Sequence, residues 1–386
     1  MTISVGKIWD VPVRLHFSWF IITGLIAWSL AAGYLPAEYP LLSSTLAWVL
    51  GGLTAIGFAL SVLLHELGHV YVALRNQIKV RGVTLFIFGG LAELTREPAS
   101  PGAEFRIAVA GPAVSLTLAA ISGALWGLSL LLPESILQSL IAGPAEYLCR
   151  INLILGLFNL IPGFPLDGGR VLRAAAWRVT GDMLRATRFA SITGQVVAFG
   201  FIAFGIYTFI RGNVFNGMWM GFIGWFLQNA AATAYAQARF QESLAGARVE
   251  DVMRWEIARV PSLLSLDELV NHRLLTQEQQ IFLVGEYGSP EGILSIGDII
   301  AIPKRKWPFL TTRQVMRPMN QISPFTPEMD LIEAIRLMEE NRLMQAPVVA
   351  ALVPVTGQPN LRPPEVIGTL SKEDVLRFLQ ERRAIR

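Results

Sequence analysis

Leu60–Val72 reads L-S-V-L-L-H-E-L-G-H-V-Y-V, inside an apolar stretch from Thr45 to Ala73 that is long enough to cross a bilayer as a helix. Together the motif and its setting leave few folds open. On a helix His65 and His69 lie on one face a turn apart, with both imidazoles pointing the same way. Glu66 stands about 100° round the helix, where it reaches a water beside a metal without being a ligand. H-E-x-x-H is the zinc-hydrolase spacing: two neutral imidazoles hold the ion and the carboxylate acts as base. The same spacing arises by chance in soluble helices. Ionisable residues inside a span are costly, however, and are rare unless they have a task. The chain has 4 His in all, and two of them stand here.

The chain is 53% hydrophobic and 16% charged, averaged over two unlike halves. Apolar runs dominate to about Ala236, and from about Arg239 the charge density is that of a soluble domain. A net charge of +3, spread over scattered basic residues, argues against nucleic acid as a partner. The single cysteine, Cys149, excludes an intrachain disulfide framework and a four-cysteine zinc site. It reads as a small apolar packing residue.

Ser4–Arg14, with Lys7 and Arg14 flanking Trp9, reads as an interfacial anchor. Six spans are expected: Leu15–Gly33, uncleaved; the span carrying the metal motif; Ile107–Leu132; Pro144–Leu160, the shortest; Phe189–Ile210; and Val214–Tyr235. The loops after spans one and three have no Lys or Arg. The loop after span two has Arg75, Lys79, Arg81 and Arg96, and the loop after span four has Arg170, Arg173, Arg178, Arg185 and Arg188. Both termini, the even-numbered loops and the soluble tail are therefore expected in the cytoplasm, in a multi-pass protein of the cell (plasma) membrane. The histidines fall near the cytoplasmic end of span two.

Two imidazoles hold zinc poorly, so a third ligand is expected. Leu157–Arg170 reads L-F-N-L-I-P-G-F-P-L-D-G-G-R. Its Pro and Gly residues break the helix at the same depth, and Asp167 is a carboxylate on irregular backbone, tolerated in a membrane only where it lines a polar site. Asp167 is the expected ligand. The bland alternative is an N-cap of the following Val171–Thr180 helix. His16 is the rival ligand, with an interfacial histidine as its ordinary reading.

H65-E-L-G-H69 followed by N159-L-I-P-G-F-P-L-D167-G-G resembles the site-2 proteases, intramembrane zinc metalloproteases. The opening G6-K-I-W-D-V-P-V-R-L-H16-F-S and G111-P-A-V-S115 extend the likeness. The resemblance implies one zinc on His65, His69 and Asp167, Glu66 as general base, and Asn159 as a polar group near the scissile carbonyl. It implies a transmembrane protein as substrate. The family often has Asn where Ser115 stands, so a polar role for Ser115 does not carry over directly from the resemblance. Val83–Phe88 and Leu91–Thr95, joined at Gly89–Gly90, give a hairpin signal that hardly alternates. In the family this segment looks like a membrane-dipping sheet, so Phe86, Phe88, Gly89 and Gly90 are candidates for pairing with an unwound substrate strand. Glu146 and Arg150, four apart, read as a mutually neutralising pair.

The tail repeats. V249-E-D-V-M253 and R313-Q-V-M316 open two units, and G292-I-L-S295-I-G-D298 and G368-T-L-S371-K-E-D374 close them. Each has an amphipathic helix (Leu266–Leu275; Leu331–Asn341) before a short apolar strand (Ile281–Val284; Ala346–Ala350). Val353–Glu365 is an insertion in the second unit. These units resemble a CBS pair, which implies an adenine nucleotide (AMP, ADP or ATP) on Ser295 with Asp298 and Ser371 with Asp374, and a homodimer through the CBS units. The expected whole is a multi-pass α-helical membrane protein with a cytoplasmic α/β CBS-pair domain: a membrane metalloprotease domain at 1–238 and CBS units at 247–303 and 312–386. Two other readings remain, a catalytically inactive scaffold and a CBS-gated transporter. Glu66 speaks against the first, since a structural zinc needs no base. The clustering of polar residues at one depth of two spans speaks against the second.

Overall fold

The computed structural model describes residues 2–385 apart from 88, 256, 272–280, 287–288, 320–324, 342, 344 and 351–365. The chain divides into two compact units, Met1–Ala238 and Arg239–Arg386.

The first unit opens with a strand pair rather than a plain anchor: β1 (Thr2–Ile8) and β2 (Val11–His16). They are antiparallel and turn at Trp9 and Asp10, whose φ values of 52° and 62° are the left-handed pair that matches hairpin twist. β2 then pairs in parallel with β3 (Val80–Phe86), and β3 pairs antiparallel with β4 (Gly89–Leu94). In the order β1-β2-β3-β4, β4 is an edge strand. The sheet buries Val11, Val80, Val83 and Leu85 against Val62, Val70 and Ala73 of α3 (Ser44–Arg75). That is the half of α3 that carries the histidines.

The remaining helices of this unit are α1 (Phe17–Ser29), continued through a π turn into α2 (Leu35–Glu38), then α4 (Pro101–Ser129), α5 (Ile136–Asn159), α6 (Asp167–Thr180), α7 (Met183–Ile210) and the greater part of α8 (Val214–Leu244). Ser43, Ser100, Ser135 and Asp182 cap α3, α4, α5 and α7 by accepting from backbone N–H groups. Each such cap contributes about 1 kcal/mol. Among the described residues five of the six expected spans are helices long and apolar enough to cross a membrane: Phe17–Glu38, Ser44–Arg75, Pro101–Ser129, Ile136–Asn159 and Met183–Ile210. The fourth starts at Ile136, with Pro144 inside it, because neighbouring helices tolerate one lost backbone bond in lipid. α8, the expected sixth span, has the length at 31 residues but is diluted by Asn216, Gln228 and Asn229. It exposes Phe215, Met218, Trp219 and Trp225. Arg150 and Glu146 form the expected ion pair, and Tyr39 donates to Glu146 Oε2 at 2.5 Å.

The second unit contains β5 (Ala258–Val260), α9 (Leu266–Leu269), β6 (Ile281–Glu286), β7 (Ser289–Ser295), α10 (Ile296–Ile300), α11 (Thr312–Val315) and β8 (Arg317–Pro318). These are followed by α12 (Leu331–Glu340), β9 (Gln345–Val349), β10 (Val366–Ser371) and α13 (Lys372–Ile385). The end of the expected first helix and the Val353–Glu365 insertion lie outside the described residues. The two repeats exchange their openings. Val249, Val252 and Met253 are buried with Phe325, Leu331, Val348 and Leu370 of the second repeat. In return β8, from the opening of the second repeat, pairs with β7 of the first.

Candidate metal centre

α3 carries the H-E-x-x-H turn unbroken, and His65 and His69 are both buried. Pro165 precedes α6, and Asp167 is the first residue of that helix. The N-cap position belongs to Leu166, whose side chain caps nothing. Asp167 is thus free of the capping role and turns its carboxylate to the histidines. Asp167 Oδ2 lies 3.2 Å from His65 Nε2 and 3.1 Å from His69 Nε2, and the two Nε2 atoms are 3.3 Å apart. A tetrahedral ion with bonds of about 2.05 Å separates its ligand atoms by roughly 3.3 Å. The donor set and its spacing fit zinc.

The outer nitrogens are committed as well. His69 Nδ1 donates to the carbonyl of Ile107 at 2.6 Å, and His65 Nδ1 meets Ser115 Oγ at 2.8 Å. Such bonds fix the ring orientation and leave the Nε2 lone pairs facing inward. Both partners come from α4. So does Gly111, where an added Cβ would stand 2.2 Å from His69 Nε2 and 2.6 Å from His65 Nε2. The sequence displays Gly111 in G-P-A-V-S, but the close approach of backbone to imidazole is a three-dimensional fact. Ser115, to which no polar role carries over directly from the likeness, orients a candidate ligand.

His16 stands apart. It caps α1, bonds Ser18 at 2.8 Å, and lines a different cavity with Arg14 and Phe86. Among the described residues the one metal-competent cluster is His65, His69 and Asp167.

A cavity of about 270 Å³ opens on this cluster. Glu66, Asn159, Gly89 and Gly90 line it, and so do Leu91 of β4 and Arg170. Gly90 comes so close that a Cβ there would lie 2.2 Å from Glu66 Cγ. Asn159 donates to the Leu155 carbonyl at 3.1 Å along its own helix. Arg170, counted in the sequence only as a loop charge, is the cation of this cavity. Of the strand-pairing candidates, Gly89 and Gly90 are at the centre, Phe86 lines the neighbouring cavity, and Phe88 lies outside the described residues.

In the tail both G-x-x-S-x-x-D motifs are helix starts. Ser295 Oγ and Asp298 form a capping box at α10, and Ser371 and Asp374 do the same at α13. The other carboxylate oxygen meets an arginine from the opening of the opposite repeat: Arg317 to Asp298 Oδ1 at 2.8 Å, and Arg254 to Asp374 Oδ1 at 2.6 Å. Burial works to raise the Asp298 pKa, but the Ser295 hydroxyl and Arg317 outweigh it and hold the carboxyl below its usual range. Asp374 is further enclosed, with Arg377 as a second cation, and is 1% exposed.

The model of Peptidase family M50 matches residues 53–133 and 133–204, and that of the CBS domain matches 313–381. The chain is 34% identical to "Putative zinc metalloprotease sll0528" of Synechocystis, over 98% of this chain and 95% of the relative. It is 33% identical to "Putative zinc metalloprotease Rip3" of Mycobacterium tuberculosis, over 98% of this chain and 92% of the relative. Among solved structures, the site-2 protease of Methanocaldococcus jannaschii aligns with a TM-score of 0.41 and 28% identity, covering 61% of this chain and 95% of that one.

Proposed function

The chain belongs to peptidase family M50 and is a zinc metalloprotease of the site-2 type with a CBS domain; from this premise we propose that it hydrolyses a peptide bond of transmembrane proteins inside the membrane, near the cytoplasmic face. The observation that carries the reading is the meeting of His65 Nε2, His69 Nε2 and Asp167 Oδ2, with Glu66 lining the same cavity. His65, His69 and Asp167 are the residues that hold zinc. Zinc, when bound, supplies Lewis acidity that polarises the scissile carbonyl and makes water a nucleophile near neutral pH.

The remaining work falls to side chains and backbone. Glu66 accepts a proton from the attacking water as the C–O bond forms, and returns it to the amide nitrogen as the C–N bond breaks. Asn159 and Arg170 face the cavity where negative charge develops on the carbonyl oxygen. Ile107 and Ser115 keep the imidazoles from rotating. A transmembrane helix holds its peptide carbonyls in internal hydrogen bonds, so water cannot attack them until the helix is locally unwound. The substrate therefore enters locally extended, and the free edge of β4 offers it backbone partners.

The basic residues between the histidines and α4 (Arg75, Lys79, Arg81 and Arg96), and those of α6 and the start of α7 (Arg170, Arg173, Arg178, Arg185 and Arg188), support a cytoplasmic placement of the site and the tail. His65 and His69 lie 10 and 6 residues before the end of α3 at Arg75, a depth of roughly 9–15 Å. The tail is read as a nucleotide-responsive module that modulates cleavage, with self-association through it as a further expectation. The deciding experiment is metal analysis of the detergent-purified chain, followed by cleavage of single-span peptides by wild type and Glu66→Gln. Cleavage by Glu66→Gln at the wild-type rate would refute the assignment of the base.

A further inference from the structure

The proposed centre is assembled from three helices. α3 supplies the imidazoles, and α4 orients them through Ile107 and Ser115. The carboxylate comes on α6, from across a helix break, and two of the three ligand contacts depend on where α6 stands relative to the α3 imidazoles that α4 orients.

Away from the ligands, α4 and α6 are joined by a buried ion pair. Arg173 Nε donates to Glu104 Oε1 at 2.5 Å, and a second guanidinium nitrogen contacts the same oxygen. Glu104 is 0% exposed and Arg173 is 6% exposed. The guanidinium also reaches Glu97 Oε2 at 3.1 Å and lies 5.3 Å over the Phe164 ring, on the segment that leads into α6. Both partners are close in sequence to the centre. Glu104 is one turn before Ile107, and Arg173 is six residues after Asp167, about 9 Å along the helix.

An apolar contact would hold these two helices together at no cost of burying charge. It would also let them slide, because dispersion contacts have little directionality. Two guanidinium nitrogens converging on one carboxylate oxygen, with a ring beneath the guanidinium, tie the two helices directionally at one level. Resting on the zinc-protease reading, we infer that Glu104 and Arg173 are positioning residues that set α6 against α4 so that Asp167 meets both imidazoles. They touch neither metal nor substrate.

The test uses the full-length chain, purified without metal in detergent. R173K keeps the cation but loses the planar two-nitrogen grip. E104M/R173M removes both charges and leaves none unpaired at depth. Each is titrated with zinc against a chelator, then loaded with cobalt(II) for its absorption spectrum, and the metal-free proteins are melted alongside. The expected result is zinc affinity lowered roughly tenfold or more, the scale seen when groups that orient metal ligands are lost. An altered cobalt spectrum should accompany it in both variants, with little change in metal-free melting for R173K. Wild-type affinity and spectrum in either folded variant would overturn the inference and leave the pair as a packing contact. Should E104M/R173M not fold, R173K decides alone. A wild-type chain that takes up no zinc brings down the protease reading as well, a pattern distinct from zinc bound equally by all three proteins.

Discussion

At the scale of single residues, the proposed centre separates binding from chemistry. Glu66 lines the cavity but is outside the ligand cluster, so Glu66→Gln should keep its zinc and lose about 10²–10⁴-fold in turnover. Elemental analysis beside a peptide-cleavage assay checks both halves. Gly111 makes a sharper case. Alanine in a helix interior is intrinsically favoured over glycine by roughly 0.8–1 kcal/mol, yet a Cβ at Gly111 would press on both Nε2 atoms. Gly111→Ala should therefore leave the metal-free protein folded by circular dichroism while abolishing zinc uptake; a variant with full zinc would show that the imidazoles give way freely. H-E-x-x-H and L-D-G-G are visible in the chain because their meaning lies in local spacing and in the cost of polar groups in lipid. Gly111, Ser115 and Arg170 were not legible in the same way. Their parts depend on which helix faces which, and nothing in G-P-A-V-S or in a loop arginine states that.

Among the elements, the β1–β2 hairpin is hidden because its alternation, Val11-Pro12-Val13-Arg14-Leu15, is short, and Lys7 and Arg14 about Trp9 imitate an interfacial anchor. The β3–β4 hairpin is legible from its β-branched residues, but Gly89 and Gly90, expected at its turn, instead open β4 and pair with Phe86 and Leu85, and the pairing of β3 with β2 is not legible. Long helices are legible, since twenty apolar residues in a row leave little choice, although Pro144 marks no start of α5. The exception is α8, where polar residues blur the pattern. The edge of β4 beside Glu66 bears on the substrate. Unwinding costs least where helix propensity is lowest, so replacing a Gly near the scissile bond of a good substrate with Leu should slow cleavage. A propensity difference of about 0.8 kcal/mol corresponds to roughly fourfold. Rates on a matched set of single-span peptides measure this, and equal rates on unstructured soluble chains would argue against the intramembrane reading.

For the whole molecule, the question is what the tail reports. A nucleotide changes activity only through its different affinity for two arrangements of the tail, so an effect of about tenfold, or 1.4 kcal/mol, is expected rather than an absolute switch. Calorimetry of the full chain with AMP, ADP and ATP should find binding weakened by Asp298→Ala, whose carboxylate is the more accessible of the two. Asp374→Ala should chiefly lower tail stability, by roughly 1–3 kcal/mol, because a buried acceptor of several hydrogen bonds is removed. Absence of heat with all three nucleotides would leave the tail as a docking module. The exchanged openings have a consequence of another kind. Val249–Met253 completes the core of the second repeat, and Arg317–Pro318 completes the sheet of the first. A protease that severed the chain between the repeats, near Lys304–Phe309, would not separate them. The two fragments would stay clasped, each holding a piece that the other cannot fold without, and would part only on denaturation.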